Sequence, residues 1–472
     1  MIPSQESIAI AGAGLVGSLL GVYLAQRGYR VDLYEGRPDP RIGNVYQGRS
    51  INLALSDRGW AALEKVGLAQ AIRAEAIPMV ERVIHGIDGS LTTQPYGEAG
   101  QAIYSVSRAG INQRLISLAE QHEQVSLHFE YRLTQVDFAS GTAGFDTPAG
   151  TVQIAPQRLF GADGANSKIR RLMQELPRMN FSLETMDVAY IELNIPANAD
   201  GSHQLGPIEA LHIWPRDQFM LIALPNLDGS FTCTLFMDFD GPNSFASLQG
   251  APAIQAFFET QFPDVAALLE TPAQHFIERA PSPLALVDVY PWVQANRICL
   301  IGDACHAIVP FYGQGMNAGF EDCRILDELL EQMEGDWEQV LPAFQQSRKA
   351  NVAAIATLAK RNYIEMSRLT GQPSFLLRKK IEAKFSRKYP KLWVPLYTMV
   401  TFRPEIPYAE ALRIGDEQSA IMDEIMTIPD IEQHWDEDWV LAKLYQLACR
   451  QWGQALTFHS SHRSCSDAKA DG

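Results

Sequence analysis

Ser7-Ile-Ala-Ile-Ala11, followed at once by Gly12-Ala-Gly14-Leu-Val-Gly17, decides how the chain is read. The apolar run predicts a buried strand, and the glycines predict a tight turn into a helix that reaches about Arg27. Gly28 ends that helix. Arg30 to Tyr34 then predicts a second strand, closed by Glu35, so the segment is a complete βαβ unit. Gly12 serves the turn, Gly14 lets backbone approach a pyrophosphate, and Gly17 allows close helix–strand packing. Glu35 stands where a carboxylate accepts both ribose hydroxyls of an adenosine and repels a 2′-phosphate. The unit therefore suits FAD or NAD better than NADP.

A second stretch, Arg297-Ile-Cys-Leu-Ile-Gly-Asp-Ala-Cys-His-Ala-Ile-Val-Pro-Phe-Tyr-Gly-Gln-Gly-Met-Asn-Ala-Gly-Phe-Glu-Asp322, has a related shape. Ile298 to Ile301 predicts a buried strand broken at Gly302-Asp303. A proline-containing loop follows, then a glycine-rich turn into a helix that runs to about Gln332. A carboxylate at a strand end suits a polyol, and a helix N-terminus suits an anion. The polyol is read as the ribityl chain of FAD and the anion as its reduced ring. Between these stretches, Gly161-Ala-Asp163-Gly164 repeats the pattern of a strand-end Asp-Gly before a helix, and Asp163 joins the candidate cofactor residues.

The chain has 472 residues, enough for two or three domains and a large core. Apolar content of 46% and charged content of 20% describe an ordinary globular protein. A net charge of −16 argues against nucleic acid or an anionic membrane as the main partner. The six cysteines show neither C-x-x-C nor zinc-ligand spacing, so no metal site is expected. Cys305-His306 invites a nucleophile reading, but no base and orienter can be placed from the sequence. No signal-peptide pattern and no run of about 18–20 apolar residues appears, which predicts a cytoplasmic protein without a membrane span.

Further along, Asp57 to about Val66 and Arg108 to Ala119 predict helices, and Pro78 to Tyr104 predicts strands beside a loop. Val188–Ile195, Glu209–Trp214, Phe219–Leu224 and Ser230–Met237 predict strands of a sheet. In it Met220, Ile222 and Leu224 share one face, as do Thr232, Thr234 and Phe236. A long helix is expected over about 341–369, placing Asn362, Glu365 and Met366 together. Residues 1–180 and 290–370 are expected to form a discontinuous FAD-binding domain, with part of 70–105 on the substrate side. The expectation for 181–289 is a β-sheet substrate domain, for 371–460 a helical region, and for 461–472 a disordered tail.

The three glycine- and Asp-bearing motifs, in their order and spacing, resemble the single-component FAD-dependent aromatic hydroxylases, the family of p-hydroxybenzoate hydroxylase. Further segments resemble its kynurenine 3-monooxygenase branch. They are Arg37-Pro-Asp-Pro-Arg41, Gly48-Arg-Ser-Ile-Asn-Leu-Ala-Leu55, Gln94-Pro-Tyr-Gly97, Leu211-His-Ile-Trp-Pro215 and Ile222-Ala-Leu-Pro-Asn-Leu-Asp228. Val309-Pro-Phe-Tyr-Gly-Gln-Gly-Met-Asn317, Asn362-Tyr-Ile-Glu-Met366 and Met399-Val-Thr-Phe402 complete them. The resemblance implies an α/β fold in which a Rossmann-like FAD-binding domain is interleaved with a mixed β-sheet substrate domain, plus a helical C-terminal region.

For FAD the resemblance implies Leu15 and Val16 beside Gly12, Gly14 and Gly17, then Glu35, Arg37, Ala54, Arg108 and Leu133. It adds Asp303, and Gly315, Met316 and Asn317 at the flavin. For substrate it implies Arg82 and Tyr96 as a carboxylate clamp, completed by Asn362 and Tyr397, with Glu365 and Met366 nearby. Met220, Ile222, Leu224, Thr234, Phe236, Pro310 and Phe311 would wall the ring. Position 312 carries Tyr where relatives carry Phe or His.

The activity implied is NADPH- and O2-dependent hydroxylation of L-kynurenine to 3-hydroxy-L-kynurenine through a flavin C4a-hydroperoxide, in tryptophan degradation. The amine of the kynurenine ring already activates it, so no acid or base residue is assigned and the flavin does the chemistry. A homodimer is left open. One alternative is a relative acting on another small aromatic acid. Another is a non-catalytic flavin-binding protein, which the three intact cofactor motifs disfavour. The absence of W-x-W-x-I-P disfavours a halogenase.

Overall fold

In the computed structural model, residues 6–42, 52–98 and 100–453 are described. The expectation for 461–472 and the first residues of the Gly48–Leu55 segment lie outside them. The strand Ser7–Ala11 sits at the centre of a six-stranded sheet, paired in parallel with Arg30–Glu35 on one side and Arg158–Gly161 on the other. Ile298–Leu300 extends it beside Arg158–Gly161, and Val125–Phe129 lies beyond Arg30–Glu35. The helices Leu15–Gln26 and Gly315–Gln332 belong to the core of this sheet, with Leu19, Leu20, Phe320 and Leu326 almost wholly buried. At about 1.5–3 kcal/mol for each large apolar side chain, this burial is what holds the βαβ units together.

The second sheet has seven strands. In order they are Ser282–Tyr290, Asn180–Ile195, Phe231–Asp238, Met220–Pro225, Ala210–Pro215, Glu81–His85 and Leu91–Pro95. Glu81–His85 pairs in parallel with Ala210–Pro215, so a hairpin from the N-terminal half completes a sheet built mainly later in the chain. The expected alternation is present. Met220 pairs with Phe236, Ile222 with Thr234 and Leu224 with Thr232. Met220, Leu224 and Phe236 belong to the core shared with the C-terminal helices, while Leu221, Ala223, Cys233 and Leu235 point to the opposite face.

Several elements differ from expectation. The strand predicted to begin at Val188 begins at Asn180. Its first residues are exposed and pair with Ser282–Tyr290 before a register shift between Thr185 and Ala189, so they carry no buried-face alternation to read. Arg132–Val136, Ala143–Thr147 and Gly150–Ile154 form a small antiparallel sheet with two glycines, three threonines and mostly exposed or half-buried positions, which hides its period. The long helix starts at Trp337, ahead of Leu341, because the Asp336 side chain caps it by accepting from the Glu338 N–H. It ends at Ser367 with Pro342 inside it.

After Pro373–Lys388 the chain adds the helices Leu396–Phe402, Tyr408–Met426 and Asp438–Trp452, which share one core with the site-facing side of the seven-stranded sheet. No helix among the described residues is long and apolar enough to cross a membrane.

Candidate active site

Gly12 has φ +106°, and a Cβ there would lie 2.4 Å from the Ala162 carbonyl oxygen. At Gly17 a Cβ would meet the Gly12 carbonyl at 1.9 Å, whereas at Gly14 it would meet nothing within 4 Å. Gly12 and Gly17 are thus fixed by packing, and Gly14 by whatever approaches the open side of the turn. Leu15 and Val16 open the helix and are only partly buried.

Glu35 closes the second strand, nearly buried, and its carboxylate accepts from the Ala13 N–H at 3.0 Å and from the Arg37 backbone and Nε at 3.1 and 2.9 Å. The Arg37 side chain is largely exposed. Leu133 lies on the strand that starts where the Glu35 and Arg37 carbonyls accept from Tyr131 and Glu130. These residues gather at one end of the cleft, a glycine turn beside a carboxylate.

At the other end, Asp303 follows Gly302 directly after the strand Ile298–Leu300. Among the described residues nothing donates to its carboxylate. Burial pushes its carboxyl up, while His306 and Arg108 pull it down. Arg108 is exposed at the head of the helix Arg108–Glu120. An unengaged carboxylate here is the right acceptor for a polyol. The helix Gly315–Gln332 begins without a side-chain cap, leaving first-turn N–H groups for an anion. Met316 is buried in that turn. The residues present therefore fit FAD, from adenosine end to flavin end.

Two expected residues spend their side chains internally. Asn317 accepts from the Ser56 N–H at 3.0 Å and donates to the Ala54 and Gly313 carbonyls at 2.9 and 2.7 Å. It clamps the strand Asn52–Leu55 to the glycine turn, and only its backbone is left for a cofactor. Asp163 turns back to its own helix, accepting from the Lys168 N–H at 2.6 Å, while its Oδ1 is buried and unpartnered.

Across the cleft, Arg82 and Tyr96 are 7% and 6% exposed. The Arg82 guanidinium carbon lies 5.0 Å from the Tyr96 ring centroid and 4.8 Å from that of Tyr397. Tyr397 stacks on Tyr96 at 5.2 Å and on Tyr312 at 5.4 Å. An Arg82 Nη is 3.5 Å from a Glu365 carboxylate oxygen. Burial works against the Arg82 charge, but Tyr96, Tyr397 and Glu365 outweigh it and hold the group cationic. Burial likewise pushes the Tyr96 and Tyr397 phenols up despite Arg82, so both stay neutral donors. Arg82 Nε and Tyr96 Oη are buried without a well-aligned hydrogen-bond partner, although the Arg82 guanidinium also acts as a donor toward the Tyr96 and Tyr397 hydroxyls. Each such orphan costs about 1–3 kcal/mol unless a ligand satisfies it.

The apolar wall comes from two directions. Met220, Leu224 and Phe236 are buried, and Ile222 and Thr234 half-buried, on the sheet face turned to the C-terminal helices. Phe311 packs on Phe236 at 5.0 Å and on Tyr363 at 4.5 Å, whereas Pro310 is exposed. Asn362 donates to the Phe311 carbonyl at 2.6 Å and lies 3.3 Å from the Met366 sulfur, so it fastens the loop before the turn at Gly313 to Gly315. Tyr312, the unfamiliar residue in the sequence, is the end ring of the tyrosine stack, with Tyr397 between it and Tyr96.

The Cys305 thiol is fully buried and pushed up by that burial, and the neighbouring His306 pairs with Asp322 at 2.6 Å instead. That geometry gives no activated thiolate. Sequence reasoning missed the buried ion cluster of Arg58, Glu321, Asp322 and Arg348. The signal was the adjacent pair Glu321-Asp322 inside a helix whose neighbours are apolar.

Residues 5–227 and 286–359 match the sequence family described as the FAD binding domain. Kynurenine 3-monooxygenase of Flavobacterium johnsoniae is 48% identical over 442 residues, spanning 93% of this chain and 98% of that protein. The Myxococcus xanthus protein of the same name is 45% identical over 424 residues, 89% of this chain and 91% of its own. Among solved structures, 2-methyl-3-hydroxypyridine-5-carboxylic acid oxygenase superposes with a TM-score of 0.64 at 16% identity, covering 78% of this chain and 95% of that one. p-Nitrophenol 4-monooxygenase from Pseudomonas putida gives 0.63 at 17% identity, covering 89% and 96%. These two likenesses are of fold.

Proposed function

Because the chain belongs to the kynurenine 3-monooxygenase family of FAD-dependent aromatic monooxygenases, we propose that it converts L-kynurenine, NADPH, a proton and O2 to 3-hydroxy-L-kynurenine, NADP+ and water. The observation that carries the reading is the orphaned pair Arg82 Nε and Tyr96 Oη in a cage of three tyrosines. A substrate carboxylate supplies acceptors for both, and the guanidinium fork takes it in bidentate fashion. A phenol-only substrate would leave the cation without an anionic partner beyond Glu365.

Bound FAD would take reducing equivalents from NADPH and activate O2 for transfer to an aromatic ring. This chain's residues do the rest. Gly12, Gly14, Gly17, Leu15, Val16, Glu35, Arg37 and Leu133 hold the adenosine and pyrophosphate end. Asp303, Arg108, Ala54 and the first-turn N–H groups of Gly315 to Asn317 hold the ribityl and ring end, where the N–H groups stabilise negative charge. Met220, Ile222, Leu224, Thr234, Phe236 and Phe311 exclude water from the ring. Arg82 and Tyr96, with Tyr397, Asn362, Glu365 and Met366 around them, fix the amino-acid end so that one ring carbon faces the cofactor. No side chain need remove a proton from the substrate, because the ring amine already donates electron density.

Incubating flavin-loaded protein with L-kynurenine, NADPH and O2, and identifying the product by mass, tests the reading. Formation of 3-hydroxykynurenine with matching NADPH use is expected. NADPH use that yields only hydrogen peroxide would remove kynurenine as the substrate.

A further inference from the structure

The buried cluster below the site is one connected chain of ion pairs. The Gly302 N–H donates to Asp322 at 3.1 Å, and Asp322 also takes His306 at 2.6 Å and Arg348 Nε at 2.7 Å. Arg348 reaches Glu321 at 2.6 Å, and Glu321 takes Arg58 at 2.5 Å. Arg58, Glu321, Asp322 and Arg348 are each 3% exposed or less. Arg58 and Arg348 are the two fully buried cations set against these two carboxylates, and the partly buried Arg324 also reaches Glu321, at 3.7 Å.

Arg58 is where this chain leaves the cofactor half. Its Nε donates to the Val400 carbonyl at 2.6 Å and its Nη2 to the Ile406 carbonyl at 2.5 Å, with Met399 and Arg403 carbonyls at 3.3 and 3.4 Å. These are carbonyls at and just beyond the end of the helix Leu396–Phe402, which has no intrahelical donors left for them. The guanidinium also lies 3.9 Å from the Tyr408 ring, and Tyr408 donates to Gln314 at 2.9 Å, the residue ahead of the flavin-facing helix. Tyr397 is in the first turn of the helix that Arg58 holds. At 1.5 Å per residue its seven residues span about 10 Å, too short a lever to absorb a displacement.

Glu321 follows Asn317 by one helical turn, so the two lie on one face. Asn317 fixes the strand before Arg58 and the glycine turn, and Glu321 fixes Arg58 itself. We propose that Arg58 is a positioning residue: through Glu321 it sets the Tyr397-bearing helix, and with it the substrate cage, at a fixed distance from the flavin-facing turn. The inference rests on the kynurenine reading for its kinetic readout, but its geometric readout does not.

The test compares wild type with Arg58→Lys and with the charge-balanced double variant Arg58→Met, Glu321→Gln, all loaded with FAD. Lysine keeps the charge but cannot serve Glu321 and several carbonyls at once. At wild-type flavin occupancy, KM for L-kynurenine should rise about tenfold with kcat changed less than about twofold. Peroxide released per NADPH should rise as well. Amide hydrogen exchange should speed up over 396–406 but not over 313–322. Wild-type KM, coupling and exchange in both variants would overturn the proposal. So would losses that only track lost flavin, or failure of both variants to load flavin, since the cluster would then be a stability element. A wild type that leaves kynurenine unreacted fails the substrate reading instead, and the exchange pattern still decides the role of Arg58.

Discussion

The guanidinium of Arg82 lies 4.8 Å from the Tyr397 ring, although the two residues come from opposite ends of the chain. Arg82 is on a strand of the seven-stranded sheet and Tyr397 on a short C-terminal helix. Their meeting makes a cationic site roofed by aromatic rings and buried from water.

Replacing Arg82 tests that site most directly. Arg82→Ala should raise the L-kynurenine KM at least about tenfold, the loss of a charge-assisted pair, at unchanged flavin content. Arg82→Lys should not restore it, because an ammonium lacks the planar fork. Steady-state kinetics decide, and unchanged KM would take Arg82 out of the site.

The glycine turn separates packing from binding. Gly12→Ala and Gly17→Ala force a Cβ to 2.4 Å and 1.9 Å from backbone oxygens, and should lower stability by about 1–3 kcal/mol or more. Gly14→Ala meets only open space in the protein, so it should fold normally and lose FAD affinity. Thermal melts with bound-flavin absorbance distinguish the three, and a Gly14→Ala protein with full FAD affinity would place the pyrophosphate elsewhere.

Asn317→Ala removes three hydrogen bonds that tie Ala54, Ser56 and Gly313 to the helix Gly315–Gln332. A fall of about 1–3 kcal/mol in unfolding free energy is expected, with weaker FAD binding. If denaturant titration and flavin retention both match wild type, the clamp is not what aligns the turn at Gly313.

The face of the seven-stranded sheet that carries Leu221 and Leu235 should sense pH. Burial holds His212 down to about 4, beside His85 at 2.9 Å, which in turn pairs with Asp264. Between 6.5 and about 4 the unfolded chain takes up a proton at this residue that the folded one refuses. Stability is therefore full above 6.5 and falls as pH drops, by on the order of 3 kcal/mol from this group. Asp264, also held below its usual range against its burial, by His85 and Trp214, adds a loss at lower pH. His212→Gln should flatten the fall in thermal midpoint between pH 7 and 4.5, and parallel curves would discount the histidine.

The cofactor half of the fold was legible because its constraints are local. A strand, a turn that only glycine can make at Gly12, a packed Gly17 and a carboxylate at Glu35 follow one another within a single βαβ unit. The same holds for Gly302-Asp303 before the helix at Gly315, whose end at Gln332 matches its pattern. The alternating face of Met220, Ile222 and Leu224 was also readable, since a pleated strand imposes period two.

A dinucleotide cleft and the family motifs around it can be read from the residues in order, because backbone geometry and side-chain period act over a few residues. Which side chains are free to act depends on how distant segments pack. Asn317 and Asn362 look as polar in the sequence as any candidate, yet each spends its donors within the protein, chiefly on backbone carbonyls. Arg82 and Tyr96 keep buried atoms unpaired. The stack of Tyr96, Tyr397 and Tyr312 and the ion chain from Gly302 to Arg58 join segments far apart in the chain. Such contacts follow from how two sheets and a helical region pack together, and no local pattern encodes them.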